Sequence, residues 1–170
     1  DDMVDNINYF KCYYPHPELE MVDNIPDFND KKLSVMIATN HNTSRSSSIL
    51  YSERRNVINF YAQLPQGEFD LYGRWWNGYR DWQGVCAHKR PILKAYKFNY
   101  SYENGGGQKG HITEKIFDAM VSGCVPIYLG ATNITDYVPK KCFIDRRDFS
   151  SDMELYIFLK DMDRDTYNGY

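Results

Sequence analysis

Apolar positions along this chain fall into short continuous runs and longer stretches with helical spacing. Leu33 to Thr39 is a run of strand length behind Lys31-Lys32, suited to a strand covered on both faces in a parallel sheet. Phe69 to Gly73, Phe98 to Tyr102 and Val125 to Leu129 repeat the pattern, and Cys142 to Ile144 gives a fifth, shorter run. From Ser52 onward Val57, Ile58, Tyr61 and Leu64 recur at helical spacing until Pro65 closes the segment. Lys89 to Lys94 is a short basic helix candidate. Ile112, Ile116, Phe117 and Met120 share one face of another helix, ended by Gly123 as the residue after its cap. Met153, Leu155, Phe158, Leu159 and Met162 mark a last helix. Strands alternating with helices predict βαβ units. The expected class is therefore α/β, a Rossmann-like parallel sheet with helices on both faces. Residues 1–30, with Pro15, Pro17 and Pro26 and little periodicity, read as a lead-in or linker, and 31–170 as the domain. No internal repeat is visible.

Open parallel sheets bind ligands beyond the carboxyl ends of their strands. The loops after Thr39, Tyr72, Tyr102 and Leu129 belong to that edge, and the candidate polar residues gather in them. One of these loops runs through Gly105-Gly106-Gly107 to His111-Ile112-Thr113-Glu114-Lys115, where a helix begins. Unpaired N–H groups and the helix dipole favour an anion there. Lys115 adds a full positive charge in a first turn, where a cation mildly opposes the dipole, so a functional reason is expected for it. That chemistry suits a nucleotide diphosphate.

Composition narrows the classes. A chain of 170 residues is of one-domain size. A net charge of −3 and a pI near 5.8 argue against a nucleic-acid partner, which asks for a basic face. Cys12, Cys86, Cys124 and Cys142 show no C-x-x-C pair or Cys/His metal spacing, so no structural zinc is expected. Cys124 reads as a small buried hydrophobe. No apolar run approaches the roughly 20 residues of a membrane span, and no signal peptide is seen. The start at Asp1-Asp2, without methionine, suggests a fragment.

The segment from Tyr96 to Phe149 also resembles a family. Lys97-Phe98-Asn99-Tyr100-Ser101-Tyr102-Glu103-Asn104 is followed in order by Ile112-Thr113-Glu114-Lys115-Ile116, Gly123-Cys124-Val125-Pro126-Ile127-Tyr128-Leu129-Gly130 and Phe143-Ile144-Asp145. This ordered set resembles the α1,3/α1,4-fucosyltransferases of glycosyltransferase family ten. A weaker likeness runs upstream through Ser34 to Asn40, Ser52-Glu53-Arg54 and Phe69 to Gly73. A lone T-E-K would carry nothing; the order and spacing carry the likeness.

The resemblance implies the donor-binding half of a GT-B enzyme, transferring L-fucose from GDP-fucose, with inversion, to an N-acetylglucosamine-containing glycan. Lys115 and Arg54 would neutralise the diphosphate, and Glu114 would bind ribose or fucose hydroxyls. Asn104 would turn its amide to the donor, whereas Glu103 is either a donor contact or a structural hydrogen-bond partner. Thr113, Asn40 and Gly73 complete the donor-binding set, although Gly73, Gly123 and Gly130 also read as backbone requirements. Arg55 competes with Arg54 for the diphosphate. His111 stands where the family often has tyrosine. GDP-fucose is then a substrate, and neither a cofactor nor a metal is expected. The general base would lie in an upstream acceptor-binding domain, so the chain alone should bind GDP-fucose and transfer nothing. The missing C-terminal C-x-x-C leans to the bacterial branch, cytoplasmic or peripheral at the inner membrane, with lipopolysaccharide or protein glycans as acceptors. A eukaryotic origin would imply the Golgi lumen. Two other readings stand beside this one, a transferase for another nucleotide sugar and a non-catalytic nucleotide-sugar-binding module.

Overall fold

The computed structural model of the protein describes residues 20–40 and 49–170. Six strands, β1 (Lys32–Ile37), β2 (Phe69–Tyr72), β3 (Trp82–Gly84), β4 (Tyr96–Tyr102), β5 (Val125–Leu129) and β6 (Ile144–Asp145), form one sheet in the order β3-β2-β1-β4-β5-β6. Every pairing is parallel. The chain first builds outward from β1 to β3, then returns to lay β4 against the other side of β1. That reversal opens a crevice between the carboxyl ends of β1 and β4, where open α/β sheets take their ligands.

The alternation of side chains along β1 explains the two faces. Met36 joins Val57, Ile58 and Tyr61 of α1 (Ile49–Tyr61) and Leu155 and Leu159 of α4 (Asp152–Asp161) in the larger core. Tyr167 of α5 (Arg164–Asn168) belongs to the same core. Val35, one residue earlier, packs with Leu93 of α2 (Lys89–Leu93) and Ala119 of α3 (Glu114–Val121) on the opposite face. Successive residues of a strand point to opposite faces, so a strand buried on both must be apolar throughout. The helix over Ile112 to Met120 forms as Glu114–Val121 and ends as anticipated. Gly123 adopts φ +64°, donates its N–H to Met120 O at 3.0 Å, and Cys124 N–H reaches Ala119 O at 3.0 Å.

Three expectations shift. β3 had no counterpart in the apolar runs. The loop between β2 and β3 instead carries its own pins: Trp76 Nε1 donates to Ala38 O at 2.7 Å, and Arg80 donates to Tyr61 O at 2.6 Å and Leu64 O at 2.8 Å beyond α1. The strand expected over Cys142 to Ile144 begins later, because Lys140–Cys142 forms a 3-10 turn and only Ile144–Asp145 pairs with β5. Residues 20–30, expected as linker, pack on the domain. Val22 N–H bonds Val121 O at 2.8 Å, and the Phe28 ring lies 5.2 Å from that of Tyr167. Residues 1–19, and the polar loop anticipated over 41–48, lie outside the described residues.

Candidate functional site

A cavity of about 420 Å³ opens at the carboxyl edge, where the strand order reverses. Ile37, Ala38 and Thr39 at the end of β1 form one wall. Arg54 from α1, Asn104 after β4, and Glu114 and Lys115 at the start of α3 close around it. Gly73, Arg74, Val85, Cys86, Ala87 and Lys89 complete the lining.

The two motif cations are held in different ways. Arg54 is 4% exposed, and its Nη2 donates to Tyr102 O at 2.6 Å and Asn104 Oδ1 at 2.9 Å. Burial lowers its pKa, opposed by Tyr51 and Glu103, and the guanidinium stays cationic. Lys115 keeps 20% of its side chain exposed and reaches Glu103 Oε2 at 3.1 Å and Thr113 Oγ1 at 2.9 Å. Glu103 is fully buried. It accepts from Thr113 N–H at 2.8 Å and from Thr113 Oγ1 at 2.7 Å as well as from Lys115. A carboxylate with those donors and no solvent access fixes its neighbours. It does not line the cavity. Glu103 thus makes structural hydrogen bonds in the fold, and Thr113 is drawn into the same network.

Glu114 is the exposed acid of the site. Its side chain is 48% exposed, and Oε1 accepts from Lys89 Nζ at 2.9 Å with Lys115 Nζ at 3.9 Å. Partial burial would raise its pKa, yet the Lys89 hydrogen bond and the charges of Lys115 and Lys89 outweigh that and hold it at about 2. Glu114 is therefore ionised throughout the physiological range, an acceptor for hydroxyl groups.

Of the other anticipated residues, only Gly73 is among the cavity's described lining residues. Arg55, one position along α1, does not line it, which separates the two arginines. His111 donates its N–H to Gln108 O at 3.4 Å, and its side chain is not part of the lining. Asn40 clamps the β2–β3 loop, its N–H on Arg74 O at 3.0 Å and its Nδ2 on Trp75 O at 2.9 Å. Gly73 lines the cavity for a backbone reason. At φ +135°, a Cβ there would lie 1.8 Å from Ala38 O. Gly105, Gly106 and Gly107 do not reach the cavity, and Gly106 packs against Leu50. Reading the sequence missed Lys89 and Arg74. Lys89 was visible only as the start of a basic helix, and nothing local says that it faces α3.

A larger cavity of about 520 Å³ opens elsewhere, lined among others by Lys31, Cys124, Pro126 and Tyr167. It holds none of the candidate donor-binding residues. The Lys31 ammonium there is engaged by Gly123 O and by the Tyr167 hydroxyl at 3.1 Å. Among the described residues no group of three His, Cys, Asp or Glu side chains could hold a metal ion. No helix among them is long and apolar enough to cross a membrane.

The family model for the C-terminal part of glycosyltransferase family 10 (fucosyltransferase) matches residues 29–170. The chain belongs to glycosyltransferase family 10. Alpha-(1,3)-fucosyltransferase 7 of Mus musculus is 34% identical over 125 residues, 71% of this chain and 31% of that protein. The 4-galactosyl-N-acetylglucosaminide 3-alpha-L-fucosyltransferase 9 of Bos taurus is 30% identical over 138 residues, 80% of this chain and 34% of its own length. The chain thus spans about a third of the length of these relatives. Among solved structures, an α1,3-fucosyltransferase superposes with a TM-score of 0.61 at 25% identity, over 81% of this chain and 36% of that one. An α1,3-fucosyltransferase solved with GDP-fucose gives 0.64 at 24% identity, over 81% and 37%, and shares the fold. The family's GT-B architecture accounts for a six-stranded parallel sheet that opens its carboxyl edge to a cleft.

Proposed function

We propose that this chain is the donor-binding half of a fucosyltransferase that uses GDP-fucose. One observation carries the reading: Arg54 and Lys115, from different elements, line a single cavity at the sheet reversal, with an ionised Glu114 beside them. Two cations suit a diphosphate, and a carboxylate suits sugar hydroxyls. Loss of GDP from C1 of fucose places negative charge on the β-phosphate oxygen. Preorganised cations and the start of α3 stabilise that charge without reorganising. The acceptor hydroxyl attacks C1 as the C1–O bond to phosphate breaks, with inversion, and its proton passes to a general base. On this reading, as the family resemblance implies, that base belongs to an upstream acceptor-binding domain, while Glu103, Glu114 and Asp145 are each paired with a neighbouring cation here. Relatives named as α-(1,3)-fucosyltransferases favour the α1,3 linkage and an N-acetylglucosamine-type acceptor.

Calorimetry with GDP-fucose, UDP-galactose and ADP-glucose tests the reading. GDP-fucose should bind, the other two should not, and EDTA should leave the affinity unchanged. Equal affinity for all three would reduce the site to a generic diphosphate cleft. No binding of GDP-fucose would overturn the proposal.

A further inference from the structure

Lys89 is the one lysine of the cavity lining that lies outside the family motifs, and its geometry gives it a definite task. It opens α2, and its Nζ bridges two carboxylates of α3: Glu114 Oε1 at 2.9 Å and Asp118 Oδ2 at 3.0 Å. Glu114 and Asp118 are four apart on the helix and share a face, so one ammonium can meet both. Asp118 is almost wholly buried, whereas Glu114 looks into the cavity. Lys89 is itself 37% exposed at that wall.

The arrangement is directional. A carboxylate left buried without a cation is costly, so Asp118 fixes the ammonium from behind. Glu114, without that ammonium, would be a half-exposed side chain free to change rotamer and to swing onto Lys115, already within 3.9 Å. Such a swing would join the anion to the lysine meant for the diphosphate. With Lys89 in place, its hydrogen bond to Glu114 falls on Oε1.

We infer that Lys89 is a positioning residue for the nucleotide sugar: anchored on Asp118, it holds Glu114 ionised and turned so that its second oxygen accepts donor hydroxyls, and it keeps Glu114 off Lys115. This rests on the donor reading above. Among the described residues, the charged and titratable groups around Glu114 are Lys89 on α2, Lys115 and Asp118 on α3, Cys86 just before α2, Glu103 behind Lys115, and Arg54 and Arg74 across the cavity.

The test uses this chain, GDP-fucose as probe, and calorimetry between pH 4 and pH 8. GDP-fucose lacks the terminal phosphate whose second ionisation, near pH 6 in phosphomonoesters, would confuse a series with GDP. Wild type should bind with nearly constant affinity across the range. Lys89→Met/Asp118→Asn removes the ammonium without leaving a buried charge. It should bind about tenfold more weakly at pH 7 and lose further affinity as pH falls through the ordinary glutamate range, near 4.3. Lys89→Arg should restore both the affinity and the flat profile. Circular dichroism at each pH separates binding loss from unfolding. Wild-type affinity and a flat profile in the double variant would overturn the proposal. So would a tenfold loss with an unmoved acid limb, which would make Lys89 a plain phosphate contact. Failure of wild type to bind GDP-fucose would instead strike at the donor reading.

Discussion

Replacing Lys115 should have two separable consequences, one on stability and one on binding. Its ammonium lies 3.1 Å from the fully buried carboxylate of Glu103. Among the described residues, Lys115→Met leaves that carboxylate with only its two Thr113 donors, at 2.8 and 2.7 Å. Breaking a buried pair from one side costs roughly 3–5 kcal/mol, and the Thr113 bonds argue for the lower end. In a domain of this size each kcal/mol moves the midpoint by roughly 2–4 °C, so about 3 kcal/mol gives a fall of about 6–12 °C. Glu103→Gln added to Lys115→Met keeps an acceptor oxygen for Thr113 and removes the orphan charge, so most of that loss should return. Binding should not return with it. A charge-assisted hydrogen bond is worth roughly 1.5–3 kcal/mol, or about 10- to 150-fold in affinity. The assay is thermal unfolding by circular dichroism of wild type, single and double variants, followed by calorimetry with GDP. A single variant that melts with wild type refutes the buried-pair argument. A double variant that binds GDP like wild type removes Lys115 from the site.

Gly73→Ala would place a Cβ 1.8 Å from Ala38 O at φ +135°, so the β2–β3 loop must shift. Unfolding should begin well below the wild-type midpoint and GDP binding should fall with it; a variant indistinguishable from wild type in melting would contradict the close approach. Arg54→Met removes the Nη2 bonds to Tyr102 O and Asn104 and should weaken GDP about tenfold. Arg55→Met, which leaves the cavity lining intact, should stay within about twofold on the scale where tenfold is about 1.4 kcal/mol; equal losses in calorimetry would undo their separation. Glu114, held at about 2 against an unfolded value near 4.3, adds stability that is present above pH 4.3 and lost as pH falls through 2. Urea midpoints of wild type and Glu114→Gln should therefore differ at pH 6 and converge near pH 2, with a small gap because the side chain is half exposed. A gap that widens on acidification would reverse the sign of that linkage.

The amino-acid pattern alone determined the class, four of the strands, and the end of α3 at Gly123. Each rests on chemistry local to a few residues. A strand covered on both faces must be continuously apolar, as over Leu33 to Thr39. A helix closing in the left-handed region asks for glycine. The same pattern brought Lys115, Glu114, Arg54 and Asn104 to one edge, because loops after parallel strands share that edge.

Tertiary structure decided what depends on where a side chain meets a distant partner. β3 is a three-residue edge strand that pairs through Leu71 and Tyr72, and so brief a segment leaves no apolar run to read. Arg54 and Arg55 are neighbours in sequence, but one position along a helix turns a side chain by about 100°, sending only Arg54 to the cavity. Glu103 and Glu114 look alike as motif acids, yet one follows β4 and is buried in the protein and the other opens α3 half exposed. Lys89 enters the site only because the sheet reversal brings α2 and α3 to the same face of β1 and β4. Periodicity records burial along one dimension, whereas these pairings are set by the order of the strands in three.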